Sequence, residues 1–166
     1  MMNRDGVRKN TLNKRSTCSV EERVKQFSDI CRERNLKVTH QRLEIYRTLA
    51  CSGNHPSAED IHSSIREKLP TVSLDTVYRT LALFEEHGLI TRVHQLDDKN
   101  RFDPNLEEHH HFICIRCKKI FDFHWPDFDL LSVPVQAEQW GRINSKKVEL
   151  NGICMECMKQ QKKSAN

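Results

Sequence analysis

A chain of 166 residues, 37% hydrophobic and 30% charged, has room for one ordinary core or two small ones, and we expect two small domains rather than a large enzyme domain. No run of about eighteen apolar residues is available to cross a bilayer, and the N-terminus MMNRDGVRKNTLNKRSTCS lacks the apolar stretch of a secretory signal, so a cytoplasmic protein without a membrane partner is expected. The net charge of +4 permits nucleic-acid binding without demanding it; DNA contacts would have to come from placed residues or from a dimer that sums two modest surfaces.

Residues 1–19 carry five Lys/Arg and almost no apolar periodicity, which predicts a flexible basic arm. Residues 20–103 then read as one helical domain closed by a ribbon. Val24, Phe27, Ile30 and Cys31 recur at helical spacing and predict a helix over about 21–34, ending near Asn35. Thr39 caps a second helix with the stripe Leu43, Tyr46, Leu49 and Ala50, broken by Ser52-Gly53-Asn54. Ser57-Ala-Glu-Asp60 has the form of a capping box, and Ile61, Ile65 and Leu69 extend a third helix up to Pro70. A fourth starts at Ser73, buries Leu74, Val77, Leu81 and Phe84, and stops at His87-Gly88. Leu89 to Leu96 predicts a strand, Asp97 to Asn100 a turn, and Arg101 to Asp103 a returning strand.

Short helices followed by a two-stranded ribbon describe a winged helix-turn-helix, whose last helix before the wing enters the major groove. Here that helix is SLDTVYRTLALFEEHG, and subtracting its core stripe leaves Asp75, Thr76, Tyr78, Arg79 and Thr80 near its N-terminal half. Thr, Tyr and Arg meet phosphates, thymine methyls and guanine edges; the competing reading is a solvated helix face.

Pro104 marks the hinge to a second domain, residues 104–166. Two strands are expected around the first CxxC, an irregular or helical stretch near 127–141, a strand around Lys146 to Leu150, and a turn at Asn151-Gly152. The whole is an α+β protein: an N-terminal winged-helix domain followed by a small α+β domain.

Seven cysteines is an odd number, export is not signalled, and four of the seven form CxxC pairs, so metal ligation outweighs disulfides. Cys114, Cys117, Cys154 and Cys157 supply the four soft ligands of a closed tetrahedral zinc site. Neither pair sits at a thioredoxin-like strand-to-helix junction. Cys18, Cys31 and Cys51 read as small apolar side chains or inert thiols.

Between these pairs lies EEHHHFICIRCKKIFDFH. In an extended 109–114, His109 and His111 share one face, while His110, Phe112 and Cys114 share the other. The two imidazoles, roughly 7 Å apart, are close enough to chelate one ion if both rings lean inward. A register pairing 111 with 122 adds Asp122 to that face; a slip of one residue removes it. An exposed polar run beside a structural zinc fits the same letters. A zinc hydrolase or deaminase should carry HExxH, or HxE with PCxxC; neither occurs, so no enzyme is expected.

From about residue 22 to 158 the chain resembles the ferric uptake regulators, bacterial metal-dependent repressors, through LKVTHQRLEIYRTL, HPSAEDI, SLDTVYRTLALFEEHGLI, RFD, HHHFICIRC, IFDFH and NGICMEC in this order. The resemblance implies a homodimer on double-stranded operator DNA, with the second domain as the dimerisation domain. It assigns Cys114, Cys117, Cys154 and Cys157 to the structural Zn(II), and His55, Asp103, His109, His111 and Asp122 to a regulatory Fe(II) or Mn(II). It places Tyr78 and Arg79 at DNA-contacting positions of the recognition helix, beside Thr76, and Lys37 at a lysine that reaches the minor groove. Aspartate at 122, rather than glutamate, is similar to the peroxide-sensing repressors, in which oxidation of ligating histidines releases DNA; His55 and His109 are the matching targets. Arg79 in TVYRTL, where some peroxide sensors have asparagine, is closer to the iron regulators. His110, Glu108 and Lys146-Lys147 depart from the residues of a second exchangeable site, so none is expected, and His124 is assigned a structural role.

Overall fold

A computed structural model describes residues 19–93 and 99–163. The expected basic arm therefore lies outside the described residues except for Ser19, as do residues 94–98 of the expected ribbon. Among the described residues no helix is long and apolar enough to cross a membrane.

Four helices come first: α1 (Val20–Glu33), α2 (His40–Cys51), α3 (Ala58–Ile65) and α4 (Leu74–Glu86). Each begins at a hydroxyl that accepts an N–H from the first turn: Ser19, Thr39, Ser57 and Ser73. Asn35, just past α1, has φ 54°, the left-handed conformation in which asparagine is one of the residues tolerated with least strain, and Gly88 ends α4 at φ 59°. α3 ends at Ile65, short of Pro70, although the Leu69 N–H still donates to the Ile65 carbonyl at 2.9 Å. The approach to a proline disfavours helical backbone, so the last turn loosens before reaching it.

The apolar stripes meet in one core. Phe27 of α1 stacks on Tyr46 of α2 with ring centroids 4.1 Å apart, and meets Phe84 of α4 edge-on at 5.0 Å. Ile45, absent from the expected α2 stripe, is fully buried with Leu49, Ile61, Ile65, Val77 and Leu81, whereas Leu43 is only partly buried. Position 45 is needed because α2 packs on both α1 and α3 and so buries two faces.

The first ribbon strand begins at Thr91 rather than Leu89, and residues 94–96 of the expected strand lie outside the described residues. β1 (Thr91–Val93) pairs antiparallel with β2 (Arg101–Asp103), and β2 is tied to the start of α3: the Phe102 N–H donates to the Pro56 carbonyl at 3.1 Å, and Ser57 bridges Arg101.

Beyond Pro104, β3 (His110–Cys114) and β4 (Ile120–Phe123) form an antiparallel pair in which His111 faces Asp122. Short helices α5 (Pro126–Asp129) and α6 (Val135–Glu138) precede β5 (Glu149–Gly152) and α7 (Met155–Lys163). β5 lies further along than Lys146 to Leu150 and runs parallel to β3, giving the order β4-β3-β5. Asn151-Gly152 is thus ladder rather than turn, and the reason is the metal-ligand geometry: pairing Cys114 with Gly152 delivers the second CxxC directly beside the first. A Cβ at Gly152 would meet the Phe112 ring at 2.9 Å, so any larger residue there requires that ring to shift. Val93 of β1 packs with Ile113 and Ile120 in a second small core that joins the ribbon to the sheet.

Two candidate metal centres and a candidate DNA-reading face

The first centre is built by β3, the knuckle after it and the start of α7. Cys114 and Cys157 sulfurs are 3.9 Å apart and those of Cys117 and Cys154 are 3.7 Å apart. Four thiolates around a tetrahedral zinc, at about 2.3 Å each, stand about 3.8 Å from one another, so the spacing fits an ion and is far too long for a disulfide. Backbone N–H groups of Cys154 and Cys117 approach Cys114 Sγ at 3.3 and 3.5 Å. Burial would raise the Cys114 thiol, but these N–H groups hold it down to about 6. Cys157 is pushed up to about 12 by burial and by the other three cysteines. Such crowding keeps four groups from ionising together unless a cation lies among them. Of the remaining cysteines, Cys31 is buried in the helical core and Cys51 is exposed; Cys18 lies outside the described residues.

The second centre gathers all five residues singled out for a regulatory ion. His55 stands between α2 and α3 at φ 47°, Asp103 ends β2, His109 immediately precedes β3, His111 lies in β3, and Asp122 in β4. Ligand atoms of His55, Asp103, His109 and His111 all lie within 4.8 Å of one another. Asp103 Oδ2 is 2.8 Å from His109 Nε2 and 3.5 Å from both His55 Nε2 and His111 Nε2. Asp122 Oδ1 is 3.0, 3.6 and 4.0 Å from the Nε2 atoms of His55, His111 and His109. Ligands at right angles about 2.1 Å from a metal stand about 3 Å apart, so these separations suit a five- or six-coordinate first-row ion. All but Asp122 are buried, and Asp122 is 37% exposed, making it the solvent side of the cluster.

The donor set carries its own evidence of an expected cation. Both ring nitrogens of His55 and Asp103 Oδ2 are buried without a well-formed hydrogen bond. Burial lowers the His55 pKa, yet Asp103 and Asp122 outweigh it and push it up to about 9. Burial would raise Asp103, but His109, His111 and His55 hold its carboxyl well below the usual carboxylate range. A metal ion would take over the positive charge that these protons supply, releasing them as it binds. Three imidazoles and two carboxylates form a harder set than four thiolates and suit Fe(II) or Mn(II), with Zn(II) also compatible.

Strand alternation separates the two centres. His110 points away from the cluster, where its Nδ1 accepts the Val148 N–H at 3.3 Å and its Nε2 lies 3.2 Å from Asp129 Oδ1. Its ring meets Phe123 and Phe128, so it pins α5 to the sheet. His124, given a structural role from the sequence, is exposed. Lys146 donates to the carbonyl oxygens of Phe128 and Leu131, and Glu108 is exposed.

The helix α4 presents Tyr78 and Arg79 outward. Tyr78 donates its phenol proton to Glu59 Oε1 of α3 at 2.8 Å, and Arg79 Nε pairs with Asp75 Oδ2 at 3.0 Å. Thr76 is half-buried, its hydroxyl 2.9 Å from that of Ser73, and Thr80 is buried rather than exposed. Lys37 is exposed on the α1–α2 connection, whose carbonyl accepts from Arg42 Nη1 at 2.7 Å. The sequence reading placed Asp75 on this face without pairing it to Arg79, and did not single out Glu59. The four-residue step from Asp75 to Arg79 was a legible helix pair, whereas Glu59 depends on how α3 packs on α4.

The ferric uptake regulator family model matches residues 33–157. A peroxide operon regulator of Bacillus subtilis is 33% identical over 138 residues, covering 83% of this chain and 95% of the relative. A peroxide-responsive repressor of Staphylococcus epidermidis is 31% identical over 142 residues, covering 86% and 95%. Among solved structures, the Helicobacter pylori ferric uptake regulator, described as having three functional metal-binding sites, superposes with a TM-score of 0.68 at 28% identity over 84% of this chain and 94% of its own. On this match the chain belongs to the ferric uptake regulator family, and it is a metal-binding transcriptional regulator rather than an enzyme.

Proposed function

We propose that the protein is a homodimeric, cytoplasmic repressor that binds double-stranded operator DNA when its regulatory site holds Fe(II) or Mn(II), and that it senses peroxide through oxidation of a ligating histidine. The carrying observation is the convergence of His55 and Asp103, from the winged-helix domain (20–103), with His109, His111 and Asp122, from the dimerisation domain (104–166). An ion held by all five ties the two domains in one arrangement, and its preference for that arrangement is the free energy by which metal strengthens DNA binding. The four-cysteine site is read as permanent Zn(II) with no open position, which holds the sheet together and takes no part in sensing.

Within this reading, residues of the chain have distinct tasks. Tyr78, Arg79 and Thr76 read or brace the major groove, and Lys37 reaches an adjacent phosphate or minor-groove edge. Leu130, Leu131, Val135 and Trp140 expose large apolar surface in one protomer, which suits burial against a second copy. When bound, a ferrous ion would activate peroxide for cleavage of its O–O bond. His55 and His109 would hold their rings as ligands to it, and a ring that is itself oxidised by two electrons, taking one peroxide oxygen while the other leaves as water, would cost the site a ligand.

Asp122 in place of glutamate favours the peroxide reading, as do the named relatives. A specific residue favours a second reading, an iron-responsive repressor of uptake: Arg79 stands in TVYRTL. One experiment separates them. Anaerobically purified ferrous protein is treated with dilute peroxide and followed by peptide mass and operator binding. Gain of one oxygen on His55 or His109 with loss of DNA binding is expected; unmodified histidines with persistent binding would leave the iron-responsive reading. Operator binding across added Fe(II), Mn(II) and Zn(II) checks metal dependence.

A further inference from the structure

We infer that Asn105, which is not among the five ligands, is the positioning residue of the regulatory site, and this rests on the metal-dependent reading above. Asn105 follows Pro104 in the connection between the two halves and reaches two ligands at once. Its backbone N–H donates to Asp103 Oδ1 at 2.8 Å, which occupies one carboxylate oxygen and leaves Oδ2 turned toward the three imidazoles. Its side-chain Oδ1 accepts the Glu107 N–H at 3.2 Å, and the Glu107 carbonyl lies 2.7 Å from His109 Nδ1. That carbonyl has only acceptor capacity, so Nδ1 is the nitrogen that keeps its proton and Nε2 is the one offered to the ion. The Asn105 amide nitrogen, 3.4 Å from the same Nδ1, is itself a donor and makes no hydrogen bond to a protonated Nδ1, so the shorter contact to the Glu107 carbonyl sets the tautomer.

Asn105 thereby acts on two ligands by two routes: its backbone N–H turns Asp103, and its side chain folds residues 105–107 so that His109 meets the ion with the correct nitrogen. Ligating histidines need such a partner on the other nitrogen to fix tautomer and ring orientation. Because Asn105 lies in the connection between halves, ordering this short turn and completing the site are one event.

The test uses the full chain with its structural zinc in place. Mn(II) affinity is measured by competition, and the His109 Nδ1 proton is observed by NMR in protein whose regulatory site is loaded with Zn(II). Asn105→Ala is expected to weaken Mn(II) binding by about 10- to 100-fold while keeping structural zinc, and to lose the slowly exchanging Nδ1 proton. Asn105→Asp keeps the acceptor for Glu107 and should restore that proton. Asn105→Gln, whose oxygen stands a methylene away from the Glu107 N–H, carries the same expectation as alanine should alanine fail to fold. Wild-type Mn(II) affinity and a retained Nδ1 proton in the alanine or glutamine variant would overturn the role of Asn105. His109→Ala binding Mn(II) as tightly as wild type would instead overturn the site on which it rests.

Discussion

Replacing Cys157 with alanine should unfold the sheet half and spare the helical half. The sheet's buried aliphatic side chains are Ile113 and Ile120, packed with Val93; its other buried apolar groups are Cys114, Cys154 and Cys157 themselves. Three aliphatic side chains contribute about 1.5–3 kcal/mol each, under about 10 kcal/mol together. A structural zinc contributes about 10–16 kcal/mol, so the ion outweighs the core it serves. The helical half has its own core from Phe27 through Phe102, which contains none of the four cysteines. Zinc content, calorimetry and amide exchange of Cys157→Ala provide the assay. Expected are loss of the tightly held zinc, loss of exchange protection across β3 and β5, and a persistent transition for the helical half. Retained zinc with a protected β3, or collapse of both halves in a single transition, would refute the reasoning.

Ser57→Ala removes the hydroxyl that accepts the Asp60 N–H at 3.2 Å, and should cost about 1 kcal/mol in denaturant unfolding; because Ser57 is two residues from His55, Mn(II) affinity should fall as well. Burial would raise Asp60, but the Ser57 N–H and hydroxyl and Arg101 hold it below its ordinary value. Its stabilising contribution is therefore complete above the unfolded pKa of about 3.9 and is lost as pH falls through the lower folded value, so the stability gap between wild type and Asp60→Asn should be flat above about pH 5 and close below about pH 4. Lys37→Ala should weaken operator binding across sequences and reduce the salt dependence of the binding constant by about one counterion; an unchanged salt slope would remove Lys37 from the phosphate contacts.

Local chemistry made much of this molecule legible in the sequence. Helical periodicity located α1, and hydroxyl caps before apolar stripes located α2 to α4, because capping and helical periodicity act within a turn or two. Alternation along 109–114 separated His109 and His111 from Cys114, because a strand admits only two faces. The resemblance, rather than spacing, joined His55 and Asp103 to that strand. Tertiary structure decided what periodicity does not encode: that His111 faces Asp122, that β5 runs parallel to β3 and brings the second CxxC beside the first, and that Ile45 is a core residue. It also decided that Asn105 and Glu107 stand behind Asp103 and His109. Register between strands and docking of the ribbon against the start of α3 are set by packing between residues far apart in the chain. His55 and Asp122 are separated by 67 positions (122 minus 55) yet lie 3.0 Å apart, a contact that no local propensity specifies and that exists only once both halves are in place.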